Sequence, residues 1–242
     1  VFHAYDTLYR YKRLTMGLKP AQGELNVALN PVFEHISQAH LIHDDPILAT
    51  TTYKEHLEVV QQVMDAISKA GLTVNPAKCH FGEKQIEFWG MLIGKDGVCP
   101  DPSKVDALKH ITPPTSKDEL ISFLCMMQSN SEFIANFTQK SAILRELVQS
   151  KNNFKWDQEH QESYNKLLGE FKKSTLLRFF DMTQKTYVFV DAHITGLGAM
   201  LAQGETMQSA LPVALASRTT SQAETRYPQL DLEAMAVDFG LR

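Results

Sequence analysis

Apolar and polar positions alternate, switch period and break in an order that predicts a mixed α and β chain. Residues Tyr5 to Leu14 interleave aromatics with polar or basic groups and predict a strand or hairpin. Gly17 to Pro20 predict a turn, and Ala21 to Ile36 a helix interrupted by Pro31. The run Leu41-Ile42-His43-Asp44-Asp45-Pro46-Ile47-Leu48 reads as strand, charged turn and returning strand. Thr52 opens a long helix whose stripe is Leu57, Val60, Met64 and Ile67, with Gly71 as the residue that ends it. Leu72-Thr73-Val74 predicts a strand, Asn75-Pro76 a turn, and Glu87 to Ile93 a further strand ahead of the Lys95-Asp96-Gly97 hairpin turn.

After Val98 the period becomes helical. Asp101 caps a short helix with Pro102 at its first position, and Pro113-Pro114 breaks the chain. Ser116 and Glu119 form a capping box for the next helix, and Thr138 to Ser150 predict a third. Asp157 caps another, with Tyr164, Leu167, Leu168 and Phe171 on one face. Strand periodicity then returns at Thr186 to Val190, at Ala199 to Leu201 after a Gly196-Leu197-Gly198 turn, and at Leu211 to Ala216. The final helical region, starting at Ser221 or Thr225, carries Glu233.

Composition narrows the picture. The 242 residues, 43% of them hydrophobic, are enough for a buried core in one large or two to three small domains. A net charge of −4 does not announce a nucleic-acid binder. Cys79, Cys99 and Cys125 form neither a zinc spacing nor a disulfide framework, which favours a reducing compartment. No apolar run reaches membrane-spanning length and no signal peptide is evident, so an intracellular setting, a cytoplasmic particle or the nucleus, is expected. The chain opens on Val1-Phe2 and stops inside the pattern Phe239 to Arg242, which reads as a piece of something longer.

The candidate chemistry lies in carboxylates. Asp pairs are common in turns because Asp tolerates the geometry and bonds its own backbone. Asp44 and Asp45 repel each other unless a cation sits beside them, and oxygen ligands suit Mg²⁺. On spacing alone Glu233 reads first as a solvated helix residue, and Trp89 has a plain reading as a packed strand residue.

The segments in order resemble the pol region of a Ty3/gypsy-type LTR retrotransposon. Lys12 to Lys19, His43-Asp44-Asp45, Glu55-His56-Leu57, Ala70 to Cys79 and Phe88-Trp89-Gly90 carry the resemblance in the first half. Asp101 to Val105, Phe133-Ile134-Ala135-Asn136-Phe137, Phe154-Lys155-Trp156, Val190-Asp191-Ala192 with Gly196 to Ala199, and Arg226-Tyr227-Pro228 with Leu232-Glu233-Ala234 carry it in the second. The resemblance implies an α+β fold. A partial reverse-transcriptase palm (1–95) and a helical thumb (96–150) would precede a connection and truncated RNase H-like α/β domain (151–242).

It further implies two-metal phosphoryl transfer with Mg²⁺ or Mn²⁺. Asp44 and Asp45 would hold metal at the polymerase site, and Asp191 and Glu233 at the RNase H site. Lys12, Arg13, Gly17, Asn26, Trp89 and Gly90 would meet nucleic acid. The implied partners are an RNA/DNA primer–template, an RNA–DNA hybrid and dNTPs.

The chain also departs from that pattern. By the resemblance, the family's further polymerase aspartate would lie upstream of Val1 and its remaining RNase H acids beyond Arg242. Ile42 replaces an aromatic and Pro46 is unusual after the acid pair. Gln22 and Asn26 replace proline and glutamine. Cys125 replaces a thumb glycine, Ser129-Asn130-Ser131 replace two tyrosines and an arginine, and His193 replaces a small hydroxyl residue. These departures leave two readings: a catalytic fragment active only within a longer chain, and a non-catalytic scaffold that binds nucleic acid or protein.

Overall fold

The computed structural model describes residues 2–15, 17–108, 111–149, 154–173 and 176–242. Met16 and Ser150, which fall in the predicted segments above, lie outside these. The chain divides into two compact units, 1–83 and 84–242. The fold is mixed α and β, as the resemblance implies.

In the first unit, β1 (Phe2–Ala4) and β2 (Thr7–Tyr9) make an antiparallel hairpin, and Phe2 stacks on Tyr9 with ring centroids 5.8 Å apart. Helix α1 (Ala21–Phe33) keeps Pro31 inside it rather than being interrupted there. Strands β3 (Ala39–Ile42) and β4 (Asp45–Leu48) form a second hairpin, followed by α2 (Tyr53–Lys69). Thr52 caps α2 by accepting from the Glu55 amide at 3.2 Å, and the Glu55 carboxylate accepts from the Thr51 amide.

The core of this unit is Phe33, Ile36, Val59, Val63, Ala66 and Ile67, against which Ala39, Leu41 and Leu48 pack. The buried face of α2 therefore runs through Val59 and Val63. Of the predicted stripe, Ile67 is buried and Val60 half-buried, while Leu57 and Met64, about one residue around the helix, are exposed. Both stripes are apolar, and α1 with the β3–β4 hairpin decides which is covered.

Helix α2 ends in a Schellman motif. Gly71, at φ +68°, donates to the Ser68 carbonyl, and Leu72 donates to the Ile67 carbonyl, each at 3.0 Å. The strand expected at Leu72 to Val74 does not form, because no neighbouring strand supplies a ladder. The chain instead passes into a single 3₁₀ turn, Pro76–Lys78, capped by the Asn75 side chain.

The second unit begins with an antiparallel meander of β5 (Gln85–Phe88), β6 (Met91–Gly94) and β7 (Gly97–Pro100). Asp101 then caps α3 (Pro102–Ala107), accepting from the Ser103 amide at 2.8 Å and its hydroxyl at 2.6 Å. These bonds hold the Asp101 carboxyl below its ordinary range. Helices α4 (Lys117–Gln128), α5 (Phe137–Gln149) and α6 (Gln158–Lys172) share one core. Leu120, Phe123, Met127, Leu144, Tyr164, Leu167 and Phe171 fill it. Ser116 caps α4 by accepting from the Glu119 amide, but the Glu119 carboxylate accepts from the Thr115 amide and hydroxyl in place of the reciprocal arm expected at Ser116; Asp157 completes a capping box with His160. Helix α6, grouped by sequence with the following domain, belongs to this core.

A second antiparallel sheet, ordered β10-β9-β8, follows: β8 (Thr186–His193), β9 (Gly196–Gln203) and β10 (Leu211–Thr219). The glycines expected to form a turn are the first residues of β9, and the turn is Ile194-Thr195. Helix α7 (Gln229–Leu241) packs Leu232 and Ala236 against Ala192 and Leu197. It begins later than the sequence suggests. Only a 3₁₀ turn forms at Glu224–Arg226, and Pro228 keeps Tyr227 extended at φ −77°, ψ 146°. Among the described residues no helix is long and apolar enough to cross a membrane.

Two stability outcomes follow. Leu167 is fully buried in the helical core, so Leu167→Ala should cost about 2–5 kcal/mol in denaturant unfolding. Arg218 grips Glu224 with two bonds, 2.9 and 3.0 Å, and the Ser221 amide donates to the same carboxylate. The Glu224 carboxyl falls from about 4.5 to about 2. A depressed carboxylate contributes stability above its ordinary pKa and loses it as pH falls through the folded value. The stability difference between wild type and Glu224→Gln, measured by thermal unfolding, should be full at neutral pH and shrink between about pH 4.5 and 2.

Candidate active site

The β3–β4 hairpin positions the acid pair. Its register is Ile42↔Asp45, Leu41↔Pro46, His40↔Ile47 and Ala39↔Leu48. The loop is therefore two residues, His43 and Asp44, and Asp45 is the first residue of the returning strand. His43 has φ +58° while Asp44 does not enter the left-handed region. That is the sign pattern of a type II′ turn, which matches strand twist but favours glycine at the position His43 holds.

The same register accounts for Pro46. In a two-residue hairpin the closing pair, Ile42↔Asp45, exchanges the ladder bonds, so Leu41↔Pro46 is a non-bonded pair. Pro46 forfeits no ladder bond there, so the residue that looked unusual after the acid pair is compatible with the hairpin. Leu41 and Leu48 turn toward the core, which leaves Asp45 on the outer face beside Ile42. Asp44 and Asp45 are both exposed.

Two adjacent carboxylates with only oxygen donors fit a hard cation, and Mg²⁺ is commonly held by one or two carboxylates with substrate phosphates completing the shell. Among the described residues, no group of three or more His, Cys, Asp or Glu side chains gathers at one point.

The other residues expected to meet nucleic acid sit as follows. Lys12 and Arg13 are exposed in the segment after β2, and Gly17 takes φ +82°. Asn26 is half-buried on α1, where its side-chain oxygen accepts from Gln22 at 3.3 Å. In the second unit, Trp89 and Gly90 are the two loop residues between β5 and β6, at φ +53° and +76°. Both central residues in the left-handed region indicate a type I′ turn. Trp89 is 58% exposed at the tip. The Gly90 carbonyl accepts from the Asp101 amide at 3.2 Å, and the Lys104 ammonium lies over Gly90, where a Cβ would meet it. The helix cap at Asp101 thus anchors the hairpin turn.

Asp191 and Glu233 do not bond each other. Asp191 is near the end of β8 opposite Gly198, and its Oδ2 accepts from Asn136 at 2.7 Å and Gln139 at 3.1 Å. Gly240 of α7 lies against Val188, Val190 and Ala199, which places α7 on the sheet face alternate to Asp191. Glu233 is exposed near the start of α7 and accepts from Gln229 at 2.8 Å. The same Gln229 amide donates to the Ala192 carbonyl at 3.2 Å, so one side chain links Glu233 to the residue after Asp191. His193 accepts from the Thr195 amide and exchanges a 2.8 Å bond with its hydroxyl.

Asn136, Gln139 and Gln229 are the residues that sequence reasoning did not single out. Asn136 and Gln139 lie 55 and 52 residues from Asp191, and no spacing rule connects them. Gln229 stands one helical turn before Glu233, a spacing at which side chains meet.

Comparison with known proteins agrees with this anatomy. Residues 2–93 match the family model described as reverse transcriptase (RNA-dependent DNA polymerase), and residues 156–242 match the RNase H-like domain found in reverse transcriptase. The chain is 30% identical to the retrovirus-related Pol polyprotein from transposon opus of Drosophila melanogaster, over 98% of its length and 25% of that polyprotein. It is 25% identical to the transposon Tf2-3 polyprotein of Schizosaccharomyces pombe, over 95% of its length and 17% of that protein. The chain thus spans a quarter or less of these relatives.

Among solved structures, a foamy viral protease-reverse transcriptase in complex with an RNA/DNA hybrid superposes with a TM-score of 0.82. The two share 21% identity, over 96% of this chain and 31% of that one. The chain belongs to the reverse transcriptases of retrotransposon Pol polyproteins, carrying a reverse transcriptase domain followed by the RNase H-like domain found in those enzymes.

Proposed function

We propose that this chain is the palm, thumb and RNase H-like part of a retrotransposon polymerase that copies RNA into DNA and cleaves the RNA of the hybrid. Residues 1–95 would serve as palm, 96–150 as thumb and 151–242 as connection and RNase H-like domain. The observation that carries the reading is the two-residue hairpin that presents Asp44 and Asp45, exposed and adjacent, within a reverse transcriptase domain. The foamy viral neighbours in complex with RNA/DNA hybrid and dsDNA support a nucleic-acid partner.

Asp44 and Asp45 would hold Mg²⁺ or Mn²⁺ at the polymerase site, and Asp191 with Glu233 would do so at the RNase H site. When bound, such a pair of cations supplies charge neutralisation at the phosphate and an activated oxygen nucleophile. The protein's own part is placement. The II′ turn fixes Asp44 at the tip while the ladder fixes Asp45, so both carboxylates face the dNTP and primer end together. Trp89 at the tip of the β5–β6 turn offers a flat apolar surface to the primer, and Gly90 lets the backbone approach it. Lys12 and Arg13 would neutralise phosphates, which positions the duplex without reading its sequence. Gly17 shapes the turn ahead of α1, and Asn26 contributes a side-chain amide on that helix.

Binding is the direct test. The chain should bind an RNA/DNA primer–template with an affinity that falls steeply as salt rises, and Trp89→Ala should weaken it about tenfold. A fluorescence anisotropy titration showing no binding at low salt would remove the proposal. For chemistry, the family pattern calls for a third polymerase aspartate, and the described residues gather no third acid. The 242-residue chain alone should therefore extend a primer negligibly with Mg²⁺ or Mn²⁺. Robust extension abolished by Asp44→Asn would overturn that expectation.

A further inference from the structure

The side chains of Asn136 and Gln139 converge on one oxygen of a carboxylate from another part of the chain. Asp191 Oδ2 accepts both amides, at 2.7 and 3.1 Å, while the residue itself stays exposed. Neither donor contacts Oδ1. We infer that Asn136 and Gln139 are positioning residues for a divalent cation at Asp191, turning the carboxylate so that Oδ1 faces outward as a single-oxygen ligand. The inference rests on the metal-binding reading of Asp191 proposed above.

Several independent features hold the two amides in place. Asn136 takes φ +53°, a left-handed conformation that Asn tolerates and that aims its side chain at the sheet. Opposite it, the partner of Asp191 in the ladder is Gly198, and a Cβ there would strike the Asn136 side-chain oxygen. The next glycine, Gly196, makes room for Thr138 and offers its carbonyl to Gln139 at 3.3 Å. Thr138 is tied to Ser217 of β10 through both its amide, at 3.3 Å, and its hydroxyl, at 3.0 Å. The first turn of α5 is thereby docked at residues on β8, β9 and β10.

The chemistry of the contact favours positioning. Two neutral N–H donors on one oxygen satisfy that oxygen and remove the free rotation of the carboxyl group. Ligating carboxylates are commonly held by such outer hydrogen bonds, and losing them costs about 10–100-fold in metal affinity. Glu233 reaches the same strand end from the other side through Gln229. Each of the two acids is thus steered by neutral amides, and those on Asp191 come from the thumb region.

The test is a Mn²⁺ titration of the isotopically labelled 242-residue chain, read as paramagnetic broadening of backbone amide signals at residues 190–193. Gln139→Ala and Asn136→Gly, the latter compatible with positive φ, should each weaken Mn²⁺ binding about tenfold or more. Ser217→Ala loosens the same docking through Thr138 without removing a donor to Asp191, and should weaken Mn²⁺ binding less than either amide variant; an equal loss would make docking alone the cause and overturn the positioning role. Asp191→Asn should abolish the broadening. If Asp191→Asn abolishes it but Gln139→Ala and Asn136→Gly bind as wild type or tighter, the positioning role is overturned and the metal reading survives. If the wild type shows no broadening there, or Asp191→Asn leaves it intact, both are overturned.

Discussion

Helix α5 can reach the β8–β10 sheet only because two positions of β9 carry no side chain. At Gly198 a Cβ would strike the Asn136 side chain, and at Gly196 it would crowd both the Arg218 carbonyl and the Thr138 side chain. Three features of the second unit follow from that approach. It brings side-chain amides within bonding distance of Asp191, and it lets Ser217 accept from Thr138. It also joins the helical core of α4, α5 and α6 to the sheet that α7 covers from its other side. Glycine weakens a strand interior, and here the loss is offset by contacts that no larger residue would permit.

The β3–β4 hairpin solves a different problem with the same economy of backbone. Adjacent carboxylates repel, and a flexible loop would let them separate. A two-residue loop leaves no freedom for that: one acid occupies the turn and the other begins a ladder. The core-facing residues Leu41 and Leu48 hold the register, since a slip by one position would turn them to solvent and the acids inward. Pro46 is compatible with this arrangement because it falls on the non-bonded pair.

Much of this was legible in the chain. The helix caps at Thr52, Asp101, Ser116 and Asp157 are local chemistry, and each forms as its sequence requires. The acid pair was visible for the same reason, whereas Glu87 to Ile93 reads as one strand and is divided by a turn at Trp89-Gly90, and β8 runs two residues past Asp191. The errors share one cause. Helix α2 carries two apolar stripes, and only the neighbours at Phe33 and Ile36 select the one through Val59 and Val63. Leu72 to Val74 has strand composition but no partner. Gly196 and Gly198 have turn composition but lie in a strand, because the reason for a missing side chain stood some sixty residues upstream at Asn136 and Thr138.

The amino-acid sequence by itself determined which elements form, where the capped helices begin, and which carboxylates stand at chain reversals and strand ends. Those properties depend on contacts within a few residues. Only the tertiary structure decided which helix face is buried and what the Asp191 carboxylate touches. It alone showed that Asn136, Gln139 and Gln229 belong to the description of the site. Hydrogen bonds between residues more than fifty positions apart leave no periodicity in the chain, and they exist only once the elements have packed.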